Sequence, residues 1–288
     1  MSAGRGVVTA LTTDGIADLV DQTWKVRIPA RDARAVAVSE GGDLLALSSA
    51  TGLQLVDHAG RQLASTPTGW PLMVASSTHC VVGIDRSVGV LRRTGSGFDV
   101  VEAIEDVRYP ASVSAVPGSL DRIAIAWSDN PLRGYAGVLA IHKFPNLETI
   151  GHCTIDRKTV IGPWMDRLVV AGGIAVPDVA LIRVGSAGPT VDAAVTSLTR
   201  DGAKPFDKRG AIGAGALTGG TLILAGDLLE VWDLDGMSVR AVGLLDGERR
   251  RDDRASYSHS GRAYSVVASD DTAWTLHADG SVRRWTLD

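Results

Sequence analysis

Asp121-Arg-Ile-Ala-Ile-Ala126 and Asp166-Arg-Leu-Val-Val-Ala171 are near copies of one phrase. Asp43-Leu-Leu-Ala-Leu-Ser48, Gly220-Thr-Leu-Ile-Leu-Ala225 and His79-Cys-Val-Val-Gly-Ile84 are looser versions of it. Each opens on a turn residue and runs into a short apolar stretch rich in branched side chains. Such a stretch is too short for a helix and reads as a buried strand. Successive copies lie about one four-stranded unit apart, near the ~40–45 residue period of a propeller blade.

Residues 33–66 show a whole unit. Arg34-Ala-Val-Ala-Val-Ser39 reads as a first strand, a. Gly41-Gly42-Asp43 turns into b, Leu44 to Ser48, and Thr51-Gly52 turns into c, Leu53-Gln-Leu-Val-Asp57. Ala59-Gly60 turns into d, Arg61 to Ser65. Gly and Asp supply the tight turns that antiparallel hairpins need. Strands c and d return as Gly15–Asp21 with Thr23–Ile28, and as Thr272–His277 with Asp279–Leu287. Further c strands are Val88–Arg92, Gly137–His142, Val179–Arg183 and Leu229–Asp233. The spacing predicts an all-β propeller of four-stranded antiparallel blades, seven by this count, with six or eight as alternatives. The whole chain, 1–288, is expected to be one domain. The first unit shows b, c and d but no evident a strand, because few residues precede Val7.

Val231-Trp-Asp-Leu-Asp-Gly236 resembles the end of a WD40 repeat, and Arg283-Arg-Trp-Thr-Leu-Asp288 a degenerate version. The resemblance covers the periodicity but few signature residues. In that family a Gly-His pair leads into the blade and a Trp-Asp closes its c strand. Here Gly151-His152 has no Trp-Asp at the matching distance. The resemblance is therefore to a divergent WD40-like or quinoprotein-like propeller, with most of the family's hydrogen-bonded tetrads absent.

Composition narrows the function classes. The formal charge is −4, against the basic stripe of a phosphate-backbone binder, so nucleic acid is not the expected partner. Cys80 and Cys153 are far apart and belong to no metal or disulfide pattern, and Cys80 sits in an apolar run. The six histidines, His58, His79, His142, His152, His259 and His277, have no metal-ligand spacing. No Walker loop and no GxSxG elbow occurs. Gly213-Ala-Gly215 with Gly219 lacks the spacing of a dinucleotide fingerprint. Trp24, Trp127, Trp232, Trp274 and Trp285 fall in predicted strands and read as blade packing. No signal-like or membrane-length apolar run is present, so a cytoplasmic protein away from membranes is expected. No cofactor, catalytic residue or metal ligand is assigned.

Strand order places a–b and c–d turns at one end of every blade, and b–c and d–a connections at the other. The three longest connections, 128–136, 198–209 and 246–254, all belong to the second end. In repeat proteins, insertions gathered on one side mark the binding side. That side carries Trp70, Arg108, Tyr109, Arg133, Tyr135, Lys204, Phe206, Lys208, Arg209, Arg250 and Arg254. Arg, Tyr and Trp are enriched at interface hot spots. The expectation is a non-catalytic scaffold that docks a protein or peptide there. The alternative is a lactonase- or phosphoesterase-like hydrolase holding a metal in the central channel through oxygens from several blades. Asn, a common ligand in such sites, occurs only at Asn130 and Asn146. The sequence leaves oligomeric state open.

Overall fold

A computed structural model describes residues 2–287 except 5–6, 13, 21–22, 40, 85, 106, 108–111, 129–136, 156–157, 173–177, 197–213, 226–227, 245–262, 270 and 278–280. The described residues form six four-stranded antiparallel sheets and a seventh of three strands. Sheet 1 holds β1 (Ser2–Gly4), β2 (Val7–Thr12), β3 (Gly15–Val20) and β4 (Thr23–Pro29). Sheet 2 holds β5 (Ala35–Val38), β6 (Leu44–Ser49), β7 (Gly52–Asp57) and β8 (Gln62–Thr66). Sheet 3 holds β9 (Trp70–Val74), β10 (His79–Ile84), β11 (Ser87–Thr94) and β12 (Gly97–Ile104). Sheet 4 holds β13 (Ser112–Ala115), β14 (Arg122–Ser128), β15 (Gly137–Lys143) and β16 (Thr149–Thr154). Sheet 5 holds β17 (Lys158–Trp164), β18 (Arg167–Gly172), β19 (Asp178–Gly185) and β20 (Gly188–Thr196). Sheet 6 holds β21 (Ala214–Thr218), β22 (Thr221–Ala225), β23 (Leu228–Asp233) and β24 (Ser238–Leu244). Sheet 7 holds β25 (Ala263–Ser269), β26 (Thr272–His277) and β27 (Val282–Thr286).

The repeated phrase becomes the second strand of its sheet, as its continuous apolar run requires. Leu44–Leu47, Ile123–Ala126 and Leu168–Ala171 are all buried, because each strand has a neighbouring sheet on both faces. Between successive sheets lie separate apolar cores. Ile16 and Ile28 meet Leu45, Leu47 and Val56 between sheets 1 and 2. Leu53 and Leu55 meet Cys80 and Val82 between sheets 2 and 3, and Val81 and Val90 meet Ile123 and Ile125 between sheets 3 and 4. Leu139 and Ile141 meet Leu168 and Val170 between sheets 4 and 5. Val169 and Leu181 meet Leu222, Leu224 and Trp232 between sheets 5 and 6, and Ile223 and Val231 meet Val266 and Ala273 between sheets 6 and 7. β25 packs on β21 and also on β1, which closes the circuit. Burying one Leu or Ile in such a wall is worth roughly 1.5–3 kcal/mol.

Two features went beyond the periodic pattern. The first sheet does have its own first strand: Ser2, Ala3 and Gly4 pair with Thr9, Val8 and Val7. Three small residues carry no apolar alternation, so the pattern alone misses them. In every four-stranded sheet the third and fourth strands pair with a register shift, whereas the second and third pair without one. The bulge twists the outer strand and blunts an edge that would otherwise template pairing with another chain.

Turn chemistry fixes the end where first meets second strand and third meets fourth, here the turn end. Ser39 Oγ accepts the Leu44 N–H at 3.1 Å and donates to Asp43 at 2.8 Å. Ser76 Oγ accepts the N–H groups of Thr78 and His79. Asp57 accepts those of Ala59 and Arg61, and Asp233 those of Asp235 and Gly236. Among the described residues, three other than glycine hold left-handed backbone at this end: Leu147 (φ 53°), Met165 (φ 52°) and Met237 (φ 45°). That conformation costs a side-chain-bearing residue about 1–2 kcal/mol. Leu147 is buried in the core between sheets 3 and 4, and Met237 packs on the core between sheets 5 and 6.

Candidate interaction surface

The opposite end, here the loop end, carries the second-to-third connections and the links between sheets. Trp70 is the one predicted anchor that falls among the described residues. Arg108, Tyr109, Arg133, Tyr135, Lys204, Phe206, Lys208, Arg209, Arg250 and Arg254 lie outside them. The strands that flank their connections are in place: β14 ends at Ser128 and β15 begins at Gly137, both at the loop end.

Trp70 opens the first strand of sheet 3 and is 49% exposed. Local glycines explain why so large a side chain stands free. Gly69 before it has φ 123°, left-handed backbone that favours glycine, so the preceding position adds no side chain beside the indole. Gly83 is the residue paired with Trp70 across the sheet, so no neighbouring side chain covers the indole from that position. An exposed indole on a rigid strand is an efficient anchor, because little conformational freedom is lost when it binds.

The loop end also carries polar groups on sheets 1 to 3. Arg31 reaches Asp14 at 3.9 Å, and both are exposed, so the pair contributes little to stability. Ser49 Oγ meets Thr51 Oγ1 at 2.8 Å, and Ser87 Oγ donates to the Ile84 carbonyl at 2.8 Å. Arg34 and Arg86 are exposed.

No group of three or more His, Cys, Asp or Glu side chains among the described residues is placed to hold a metal ion. Cys80 is buried between sheets 2 and 3, and burial pushes its thiol up to about 12, so it is a packing residue and not a nucleophile. No helix of the described residues is long and apolar enough to cross a membrane.

Sheet 7 carries a side-chain hydrogen-bond relay. Trp285 Nε1 donates to Thr275 Oγ1 at 2.9 Å, and the same hydroxyl meets His277 Nε2 at 2.9 Å. Thr275 and His277 are both buried. In sheet 6 the Trp232 indole, within the Trp-Asp phrase, instead donates to buried Glu230 at 3.0 Å.

No family model and no curated protein matches the sequence. Solved structures do resemble the fold. The WD40 β-propeller domain of Doa1 is 12% identical with a TM-score of 0.66, over 100% of this chain and 91% of that one. The β-propeller domain of Myceliophteria thermophila Cps50 (Swd1) is 10% identical with a TM-score of 0.65, over 98% and 93%. Kuenenia stuttgartiensis hydrazine synthase is 12% identical with a TM-score of 0.66, over 96% and 94%. The fold is that of a divergent WD40-like β-propeller. Identities this low speak to the fold alone, and a fold hosts many functions.

Proposed function

We propose that this chain is a non-catalytic interaction scaffold, a single propeller domain spanning 1–288 that docks a protein or peptide in the cytoplasm. The docking side is the loop end. Trp70 serves as the central aromatic anchor, with Arg108, Tyr109, Arg133, Tyr135, Lys204, Phe206, Lys208, Arg209, Arg250 and Arg254 contributing from the longer connections. The observation that carries this reading is the half-exposed indole of Trp70 on a first strand, flanked by Gly69 and opposed by Gly83. Nothing in the fold requires a large apolar ring at that exposed position. The WD40-like neighbours support a scaffold of this kind, and the rigid ring implies binding with little backbone movement.

Trp70→Ala, and separately a triple Ala replacement of Tyr135, Phe206 and Arg209, should leave the melting temperature within about a degree of wild type, as exposed sites do. Both should abolish co-purification of the partner by affinity capture with mass spectrometry. Unchanged capture by both variants refutes the loop end as the docking side. A melting temperature that climbs with added calcium and falls in EDTA would instead support the hydrolase reading.

A further inference from the structure

Met165 differs from the other left-handed residues. Leu147 and Met237 put their side chains into apolar cores, but Met165 is 70% exposed. The matching position in the turn of sheet 6 is Gly219, with φ 54°, and glycine suits that backbone. Met165 therefore accepts backbone strain and gains no burial for it. Strain held at an exposed side chain points to a role outside the fold.

The repeated phrase supplies a control. The residue before its opening position is Gly42 in sheet 2, Thr78 in sheet 3, Leu120 in sheet 4, Met165 in sheet 5 and Gly219 in sheet 6. Sheets 4 and 5 alone among these put a large apolar side chain at the tip, and Leu120 is fully exposed. The two sheets are neighbours with a shared core. Their first strands are tied where the Val160 N–H donates to Ser112 Oγ at 2.9 Å. Two apolar tips thus project from adjacent sheets at the turn end.

Carboxylates stand next to both tips, some paired and some not. Asp121 follows Leu120 and receives the Ser119 hydroxyl at 2.6 Å, which holds its carboxyl below the usual range. Asp166 follows Met165 and is shared between Arg167 and Arg183, with Asp192 completing the network. In sheet 6, Asp233 spends its oxygens on turn N–H groups, and Asp235 is exposed close to Trp164 of sheet 5. Asp121, Asp233 and Asp235 make no ion pair among the described residues. At the same end Arg61 is paired with Asp57 and Lys143 with Glu148, while Arg122 and Lys143 both act on Asp121, so Asp233 and Asp235 are the carboxylates of sheet 6 most open to an added cation.

We propose that Leu120 and Met165 form a second docking surface, at the end opposite Trp70, for a basic amphipathic segment of a partner protein. Its apolar side chains pack on the two tips, and its Lys or Arg groups reach Asp121, Asp233 and Asp235. The turn end is already fixed by its side-chain bonds, so the tips are held in place before binding.

A synthetic amphipathic helix of leucine and lysine is the probe, with a leucine and glutamate helix of equal length as control, and affinity is read by fluorescence anisotropy. Wild type should bind the lysine helix, more weakly as salt rises, and not the glutamate helix. The Leu120→Gly/Met165→Gly double variant should weaken that binding by about tenfold or more. Trp70→Ala should bind it as wild type does, which separates this surface from the loop end. Met165→Gly alone should melt at or above the wild-type temperature, because glycine accepts the left-handed φ. Equal binding by the double variant, equal binding of the glutamate helix, or loss of binding in Trp70→Ala overturns the proposal. So does a lowered melting temperature in Met165→Gly, which would make Met165 a residue of the fold. A wild-type dimer in sedimentation that the double variant dissolves would make a second copy the occupant, and also overturns it.

Discussion

The two ends of the ring are built on different chemistry. At the turn end, Ser39, Ser76, Asp57 and Asp233 each bond backbone N–H groups within a few residues. At the loop end, the connections at 128–136, 198–209 and 246–254 are longer, and the described anchor is one indole on a strand terminus. A short turn closed by side-chain bonds needs no apolar residue at its tip, so Leu120 and Met165 stand out against Gly42 and Gly219. A long connection varies freely in length and content, so nothing in the repeat marks one of its residues as special. An exposed side chain is therefore more informative at the end where the fold leaves it least reason to be there.

Two substitutions probe how the ends depend on the walls between them. Leu224→Asp has the largest expected effect. Leu224 is 1% exposed in the core between sheets 5 and 6, and an unpaired carboxylate there should cost more than 4 kcal/mol, on the order of the whole stability. Loss of the cooperative transition in circular dichroism melts is the expected result, with binding lost at both ends together. A folded Leu224→Asp protein would mean the walls do not carry the ring. Gly151→Val is next. A Cβ on Gly151 would lie 2.9 Å from Gly188 Cα, a backbone clash between the outer strands of sheets 4 and 5. The expected loss is roughly 2–4 kcal/mol in urea unfolding. Since the contact joins the two sheets that carry Leu120 and Met165, binding at the turn end should weaken more than binding at Trp70. Equal weakening at both ends would make the ring a single mechanical unit.

Much of this was legible before any coordinates. Asp121–Ala126 and Asp166–Ala171 read as strands because both faces are buried, and a fully buried strand leaves an uninterrupted apolar run. Ala59-Gly60 and Asp235-Gly236 read as tight turns, and the structure adds that Asp57 and Asp233, at the ends of the strands before them, accept the N–H groups just ahead. The repeat predicts seven units, with six or eight as alternatives, and the described residues form six four-stranded blades and a three-stranded seventh sheet. β1 was not legible, since Ser2, Ala3 and Gly4 pair through backbone alone. The Trp285–Thr275–His277 relay was hidden for another reason: it joins residues on two strands through a pairing register that spacing does not reveal. On the loop end the sequence marks a side of the ring and a residue mix. Which of those side chains share a partner depends on three-dimensional proximity, and Trp70 is the member of that set among the described residues. Met165 carried a signal that could have been read, an apolar residue where the sister phrases put Gly or Thr. Its meaning depends on φ, which a sequence does not show.

The smallest effect concerns how the turn end responds to pH. His142 lies in β15, buried between sheets 3 and 4, with Nδ1 3.0 Å from the Leu147 carbonyl and 3.3 Å from Thr149 Oγ1. A carbonyl can only accept, so Nδ1 carries the hydrogen, and the ring clamps the turn that holds Leu147 left-handed. Nε2 is buried with no hydrogen-bond partner among the described residues. A proton added there would be a charge facing no acceptor, and burial accordingly lowers the pKa of His142 below the ordinary 6.5, outweighing the upward pull of the Leu147 bond. Because the folded pKa is the lower one, the unfolded chain takes up the proton first as pH falls. Stability is then fully present above about pH 6.5 and declines from there toward the depressed folded value, by at most about 1.4 kcal/mol per pH unit for one group. His142→Asn keeps a donor near Nδ1 and removes the titration. Urea midpoints should fall between pH 7 and pH 5 in wild type and fall less steeply in His142→Asn. Some slope should remain, since burial also lowers the pKa of His79, with Arg92 adding to the shift. Parallel slopes in the two proteins would show that protonation of His142 does not loosen the turn, and the fixing of the turn end would then rest on the serine and aspartate bonds alone.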